Sequence, residues 1–198
     1  MEDDQQEVIL KISGSKDAGY AKKVAGAMTW RLREVGFCKA RAVKQDAVNS
    51  AIKALAICNE RVAEAGMSFC VDLTFSEAIN TEGKTATAIE MIIQEADPER
   101  PEVFLDFKVS GKSEQDKNVV KNLAEAVAGR VREGKGIKMK CIGPAAVYRA
   151  IMASTIARGL IFPNGYDCVI VPKWDTIERE NAPPISFLNI AFWGKKKS

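Results

Sequence analysis

The sequence predicts an α+β protein made of two copies of one unit, each reading strand, helix, strand, helix, strand, strand. Three observations carry the prediction. The chain matches itself when shifted by 99 residues: Lys22 falls on Lys121, Ala25 on Ala124, Ala27 on Ala126, Arg31-x-Arg33-Glu34 on Arg130-x-Arg132-Glu133, Ala47-Val48 on Ala146-Val147 and Gly66 on Gly165. The register holds without a gap from about residue 21 to 93, and a two-residue offset before it aligns Lys11-Ile12-Ser13-Gly14 with Lys108-Val109-Ser110-Gly111. Each copy also opens on a segment that alternates apolar with polar residues, and continues in one whose apolar residues recur at helical steps.

The elements follow in order. Val8 to Ser13 and Val103 to Ser110 alternate as half-buried strands do. Val24, Met28, Leu32 and Val35, matched by Val120, Leu123, Val127 and Val131, give each first helix one apolar face. Short strands around Cys38 to Val43 and Ile137 to Ile142 come next, and second helices begin near Asp46 and near Gly143-Pro144. Proline suits a first helical turn because its missing N–H has no partner there. The alanine-rich helices pack Val48, Ile52 and Leu55, or Val147, Ile151 and Ile156, onto a sheet. Phe69 to Phe75 with Thr85 to Gln94, and Cys168 to Trp174 with Ile185 to Trp193, read as closing hairpins with tips at Glu77 to Lys84 and Asp175 to Pro184. Two helices per copy cover one face of a four-stranded sheet. The first unit is residues 7–95, the linker 96–102, the second unit 103–194 and a basic tail 195–198.

Composition bounds the function. With 46% apolar, 28% charged and 7% aromatic residues, the 198-residue chain fits an ordinary globular protein and not a disordered, collagenous or disulfide-stapled one. Neither an apolar run of membrane-spanning length nor a basic leader is read in it, so the expected location is cytoplasmic or nuclear, with no membrane partner. The absence of histidine removes Ser-His and Cys-His nucleophiles and His-based zinc catalysis. Cys38, Cys58, Cys70, Cys141 and Cys168 show no C-x-x-C spacing, sit mostly in apolar strings and do not coincide under the repeat, so they read as buried free thiols rather than a metal site. Ser110-Gly111-Lys112-Ser113 ends like a phosphate-binding loop, but Asp106 stands where that pattern needs its first glycine. Neither catalysis nor a cofactor is expected. The net charge of +3 hides an asymmetry, because residues 1–99 carry 12 basic against 16 acidic groups and residues 100–198 carry 17 against 10. The second half is the one suited to a polyanion.

The second copy resembles the bacterial stage V sporulation protein S family. The resemblance runs through Lys108-Val109-Ser110-x-Lys112-Ser113, Val127-Ala128-Gly129-x-Val131-Arg132-Glu133, Ile142-Gly143-x-Ala145, Ile156-Ala157-Arg158-Gly159 and Pro163-x-Gly165-x-Asp167. It implies two fused Alba-like units and non-catalytic binding of DNA or RNA. The first copy departs from the pattern: Lys44-Gln45 replaces Gly143-Pro144, Cys58-Asn59-Glu60 replaces Ala157-Arg158-Gly159, and Glu64-Ala65-Gly66 replaces Pro163-Asn164-Gly165. A unit that pairs with another copy would here be fused into a pseudo-dimer.

Such a binder would use the loop after the first strand, the start of the second helix with the strand before it, and the hairpin tip. The candidates on the second unit are Lys112, Ser113, Lys117, Lys138, Lys140 and Arg149, and on the first Lys16, Arg41, Lys44 and Lys53. The alternative for each is a solvated charged face. Asp17, Glu114 and Asp116 dilute the loops, the hairpin tips hold more acid than base, and neither Trp30 nor Trp174 is expected to stack a base. A second partner class comes from apolar parity. Phe187, Ala191 and Trp193, joined by Phe104, fall on the sheet face away from the helices and need a cover, supplied by the protein itself, by self-association or by an external protein partner. The rival function is therefore a structural or scaffolding protein that makes protein contacts through this face.

Overall fold

The computed structural model describes residues 8–15, 17, 19–79, 83–96, 99–111, 118–180 and 182–197. The first unit comprises β1 (Ile9–Ile12), α1 (Tyr20–Val35), β2 (Phe37–Val43), α2 (Lys44–Val62), β3 (Phe69–Ile79) and β4 (Thr85–Glu95). The second repeats it as β5 (Phe104–Val109), α3 (Val119–Arg132), β6 (Gly136–Cys141), α4 (Pro144–Ile161), β7 (Tyr166–Arg179) and β8 (Ala182–Lys196). Each unit is one four-stranded sheet, ordered β1-β2-β4-β3 and β5-β6-β8-β7, in which the first pair is parallel and the others antiparallel. The parallel pair requires a crossover, which α1 and α3 supply. α1 stops at Gly36, whose φ of 78° suits glycine and whose N–H returns to Leu32 O at 3.1 Å.

Three expectations are corrected. The last hairpin strands run farther than the apolar alternation does: β7 reaches Arg179 and β8 spans Ala182–Lys196, so Lys195 and Lys196 are strand residues rather than tail. Backbone pairing continues where side chains have turned polar. The second helix of the first unit begins at Lys44, two residues before Asp46. Finally, Pro144–Asn164 is long and apolar enough to cross a membrane, with a mean hydropathy of 1.3. This segment is α4 with its following turn, and half of it is buried within the fold. A helix that is apolar all round is one with neighbours all round.

α4 has those neighbours because the units share one core. Ala47, Val48, Ala51, Ile52 and Leu55 of α2 and Ala146, Val147, Ala150, Ile151 and Ala153 of α4 belong to a single continuous apolar cluster. The alanines among them let α2 and α4 touch each other, while α2 also packs on β7 and α4 on β3. The contact is pseudo-twofold. Asn59 Nδ2 donates to Pro172 O at 2.9 Å and Arg158 Nη1 donates to Leu73 O at 3.3 Å, and the 99-residue shift carries Asn59 onto Arg158 and Leu73 onto Pro172. Equivalent positions make equivalent contacts, as in an isologous dimer interface.

Candidate functional site

The loop after the first strand and the start of the second helix meet in both units. A Cβ added to Gly111 would lie 3.4 Å from Ala145 Cβ and from Ala146 N, and one added to Gly14 would lie 2.8 Å from Asp46 Cβ. At Gly14 a side chain would clash with the helix start, whereas at Gly111 the same approach is an ordinary van der Waals contact. The helix starts differ: the first turn of α4 holds no acidic residue, whereas that of α2 holds Asp46. Lys16, Lys112, Ser113 and Lys117 lie outside the described residues. Lys44 is exposed and has a φ of 68°, at the position where the second unit has Gly143 with a φ of 84°.

Several of the expected cations are engaged within the fold. Arg149 Nη1 donates to Ser110 O at 2.5 Å, which ties α4 to the end of β5. Lys140 Nζ pairs with Asp106 at 2.9 Å, and Arg41 pairs with Glu90, its Nε lying 3.0 Å from Oε1. Lys53 reaches across the units to sit 5.9 Å from the centroid of the Trp174 ring, and Trp174 packs against the shared core. At the tip of the second hairpin Arg179 donates twice to Pro183 O, leaving Glu178 and Glu180 as its outward charges. Trp30 is 58% exposed, with the Arg31 guanidinium 5.7 Å from its ring centroid. Lys138 differs from the other strand cations. It is exposed, it has no carboxylate partner among the described residues, and its Nζ lies 5.3 Å above the Phe104 ring.

Lys138 lies on the sheet face that carries no helix. Ile137, Met139 and Cys141 of β6 point into the core, so alternation puts Lys138 and Lys140 on the opposite side. Pairing brings Ala191 beside Lys138 and Asn189 beside Lys140 on β8, and Lys173 beside Asn189 on β7. The same parity adds Phe104, Asp106 and Lys108 from β5. The cover for the apolar part of this face is the chain itself. Cys70, Ala96, Val169, Val171 and Trp193 form a second buried cluster, with Phe104 and Ala191 packed against it. Trp193 is only 2% exposed, meets Phe104 edge to face with ring centroids 6.0 Å apart, and donates from Nε1 to Glu99 O at 3.0 Å. Phe187 is 3% exposed. Neither ring offers a free surface to a partner.

The linker that provides Glu99 also provides Arg100, whose Cζ lies 5.7 Å from the Trp193 ring centroid and whose Nη2 donates to Ser68 Oγ at 3.1 Å. Between this strap and the sheet lies a cleft of about 310 Å3, lined by Arg100, Lys138 and Lys173, by Phe104, Trp174 and Trp193, and by Val171, Asp175, Asn189 and Ala191. Partial burial, and after it the Arg100 charge, hold the Lys173 ammonium below its ordinary pKa. Of these residues Lys138, Phe104, Ala191 and Trp193 are legible as candidates in the sequence. Arg100, Lys173 and Asn189 are not, although the repeat offers one signal, since Asn189 stands where the first unit has Glu90.

All five cysteines are buried, and burial pushes Cys38 up to about 11 and Cys141 up to about 12, far from thiolate formation at neutral pH. Among the described residues no group of three or more Cys, Asp or Glu is arranged to hold a metal ion.

The family profile described as stage V sporulation protein S (SpoVS) matches residues 8–96 and again residues 106–187. The first match covers the first sheet with its helices; the second covers α3, β6, α4 and β7 with parts of β5 and β8, leaving the strap, the start of β5 and residues 188–196 of β8 outside. With the profile matching twice, the two matches together covering most of the chain, and the same α+β topology in each half, the chain belongs to the SpoVS family, as a tandem duplication folded into two fused Alba-like units.

Proposed function

We propose that this chain is a non-catalytic nucleic-acid-binding protein that contacts phosphates through the helix-free face of its second unit. The observation that carries the reading is the charge on that face. Lys108, Lys138, Lys140 and Lys173, with Arg100 beside them, outnumber the carboxylates of that face, where Asp106 is taken by Lys140 and Asp167 by Arg158 while Asp175 remains. Cations spread on a sheet with no helix above it suit a phosphate backbone, and binding of that kind is weakly specific for sequence. The apolar face that a scaffolding role would use is covered by the chain's own strap.

The test is fluorescence anisotropy with labelled DNA and RNA across a salt series, comparing the wild-type chain with an Arg100→Ala/Lys138→Ala/Lys173→Ala variant. Binding should weaken linearly in log salt, and removal of three phosphate contacts should flatten the slope by about 2 to 3. A variant that binds with unchanged affinity and slope would place the contacts elsewhere, and a wild-type chain silent at low salt would end the proposal.

A further inference from the structure

The cleft under the strap is more than a patch of positive charge. Arg100, Lys138 and Lys173 converge there with no carboxylate partner among the described residues, although a surface cation is normally placed where a carboxylate or open water can attend it. Among the described residues lining it, Asp175 is the only carboxylate, against three cations. Ser68, which holds Arg100, stands where the second unit has Asp167, so the guanidinium meets a hydroxyl instead of an anion. Asn189 and Val171 stand where the first unit has Glu90 and Asp72. Three positions at which this fold accommodates an acid are neutral around this one cleft.

The other lining groups narrow the ligand. Phe104 and Trp174, both half-buried, line the cleft with aromatic surface, while Trp193, with Arg100 over its ring, closes it from behind. The amide of Asn189 is incompletely satisfied: its Nδ2 reaches Asp175 only at 3.4 Å, and its buried Oδ1 has no hydrogen-bond partner among the described residues. A ligand that brings an anion, a flat ring and hydrogen-bonding edges together meets all of these groups. At about 310 Å3 the cleft is at the small end of ligand sites and has room for one such unit.

We propose that the cleft is a nucleotide site, which takes the phosphate of a single nucleotide among Arg100, Lys138 and Lys173 and its base against the aromatic wall, either free or unstacked from a single strand. The proposal rests on the preceding reading of this face and sharpens it, because a paired base in a duplex cannot enter. It also gives the duplication a role. Arg100 comes from the linker and is held by Ser68 of the first unit, so a lone second unit would have only part of the site.

The test uses the full chain and four probes: a labelled 12-nucleotide DNA strand, the same strand with every base removed, the corresponding duplex, and AMP as competitor. The intact strand is expected to bind at least about tenfold more tightly than the abasic one, the scale of a single base on an aromatic surface. It should also bind more tightly than the duplex at equal salt. Asn189→Glu, which restores the acid of the first unit, should erase the advantage of the intact strand while leaving weak, salt-dependent binding. Ala191→Ile, which restores the first unit's Ile92 and narrows the cleft without a charge, should do the same. Once base dependence is established, competition by AMP identifies free nucleotide as a ligand too, and its failure assigns the site to strands alone. Equal binding of intact and abasic strands by the wild-type chain overturns the nucleotide site while leaving the basic face standing. Silence toward every probe overturns both.

Discussion

The two units share a fold and differ at its outer sheet face. In the first, Arg41 is paired with Glu90, Asp72 lies on the neighbouring strand, and Gln94 occupies the position of Trp193. In the second, Lys140 faces Asn189 across the same register, Val171 replaces Asp72, and the tryptophan anchors a strap. The buried faces of the second helices, by contrast, keep Ala47-Val48, Ala51-Ile52 and Ala54 as Ala146-Val147, Ala150-Ile151 and Ala153, because each of these helices is buried against the other unit. Duplication thus leaves one surface constrained by the shared core and frees the other to specialise.

The constrained side can be broken at its pseudo-twofold contact, and the two halves should respond unequally. Asn59 is nearly fully buried; it donates to Phe69 O at 3.1 Å and to Pro172 O at 2.9 Å and accepts from Phe69 N at 2.6 Å. Asn59→Ala removes these bonds and strands a buried N–H, a loss of about 3 kcal/mol. Its counterpart Arg158 holds Asp167 in a bidentate pair at 2.7 and 3.0 Å, but Asp167 keeps about a third of its side chain in water. Arg158→Ala should therefore cost less, about 1 to 2 kcal/mol. Urea unfolding of both variants checks the order, and a single transition in each is expected because one core serves both units. Two separated transitions would show that the units fold independently.

A smaller effect sharpens the comparison at the start of the second helices. Both units hold this residue at positive φ, 68° at Lys44 and 84° at Gly143, so the backbone demand is set by the fold and met by glycine only in the second. Lys44→Gly should stabilise the chain by about 0.5 to 1 kcal/mol as the side chain's clash in the left-handed region is removed. Gly143→Ala should destabilise by about 1 to 3 kcal/mol, since its ψ of 164° places it in a region essentially reserved for glycine. Thermal melting of the pair reads the opposite signs directly.

Much of this was legible in the sequence, for reasons that also mark where it stops. The repeat and its periodicities placed both sheets and all four helices. Sheet parity puts Ala191 and Trp193, joined by Phe104, on the face away from the helices, where the structure places them. The strap was not legible, because Glu99 and Arg100 sit in a proline-flanked stretch without periodicity, and its path depends on Trp193 and Ser68, remote in sequence. Engagement of the cations was hidden for the same reason: parity tells which side Lys140 and Arg41 take, but only three-dimensional pairing shows Asp106 and Glu90 already holding them. The length of the last hairpin escaped because backbone hydrogen bonding outlasts the apolar alternation that announces it.

The smallest effect separates two carboxylates at the seam between the sheets. The Arg158 guanidinium, aided by the Cys168 N–H, holds Asp167 below the usual carboxylate range, whereas burial raises Asp72 above it against the opposing pull of the same arginine. The folded state therefore favours ionised Asp167 and protonated Asp72. Asp167 contributes stability that is present above the ordinary carboxylate pKa of about 3.9 and is lost as pH falls through its lowered value. Asp72 works against folding at neutral pH, and that penalty is relieved as pH falls from its raised value toward about 3.9. Asp167→Asn should thus be less stable than wild type at pH 7 and converge on it only in strong acid. Asp72→Asn should be slightly more stable at pH 7 and converge already in the ordinary carboxylate range. Urea midpoints of the three proteins between pH 7 and pH 3 distinguish the curves, and parallel curves would mean that the arginine does not discriminate between the two acids. Ser68 occupies the Asp167 position of the first unit, so this acid limb belongs to the second unit alone.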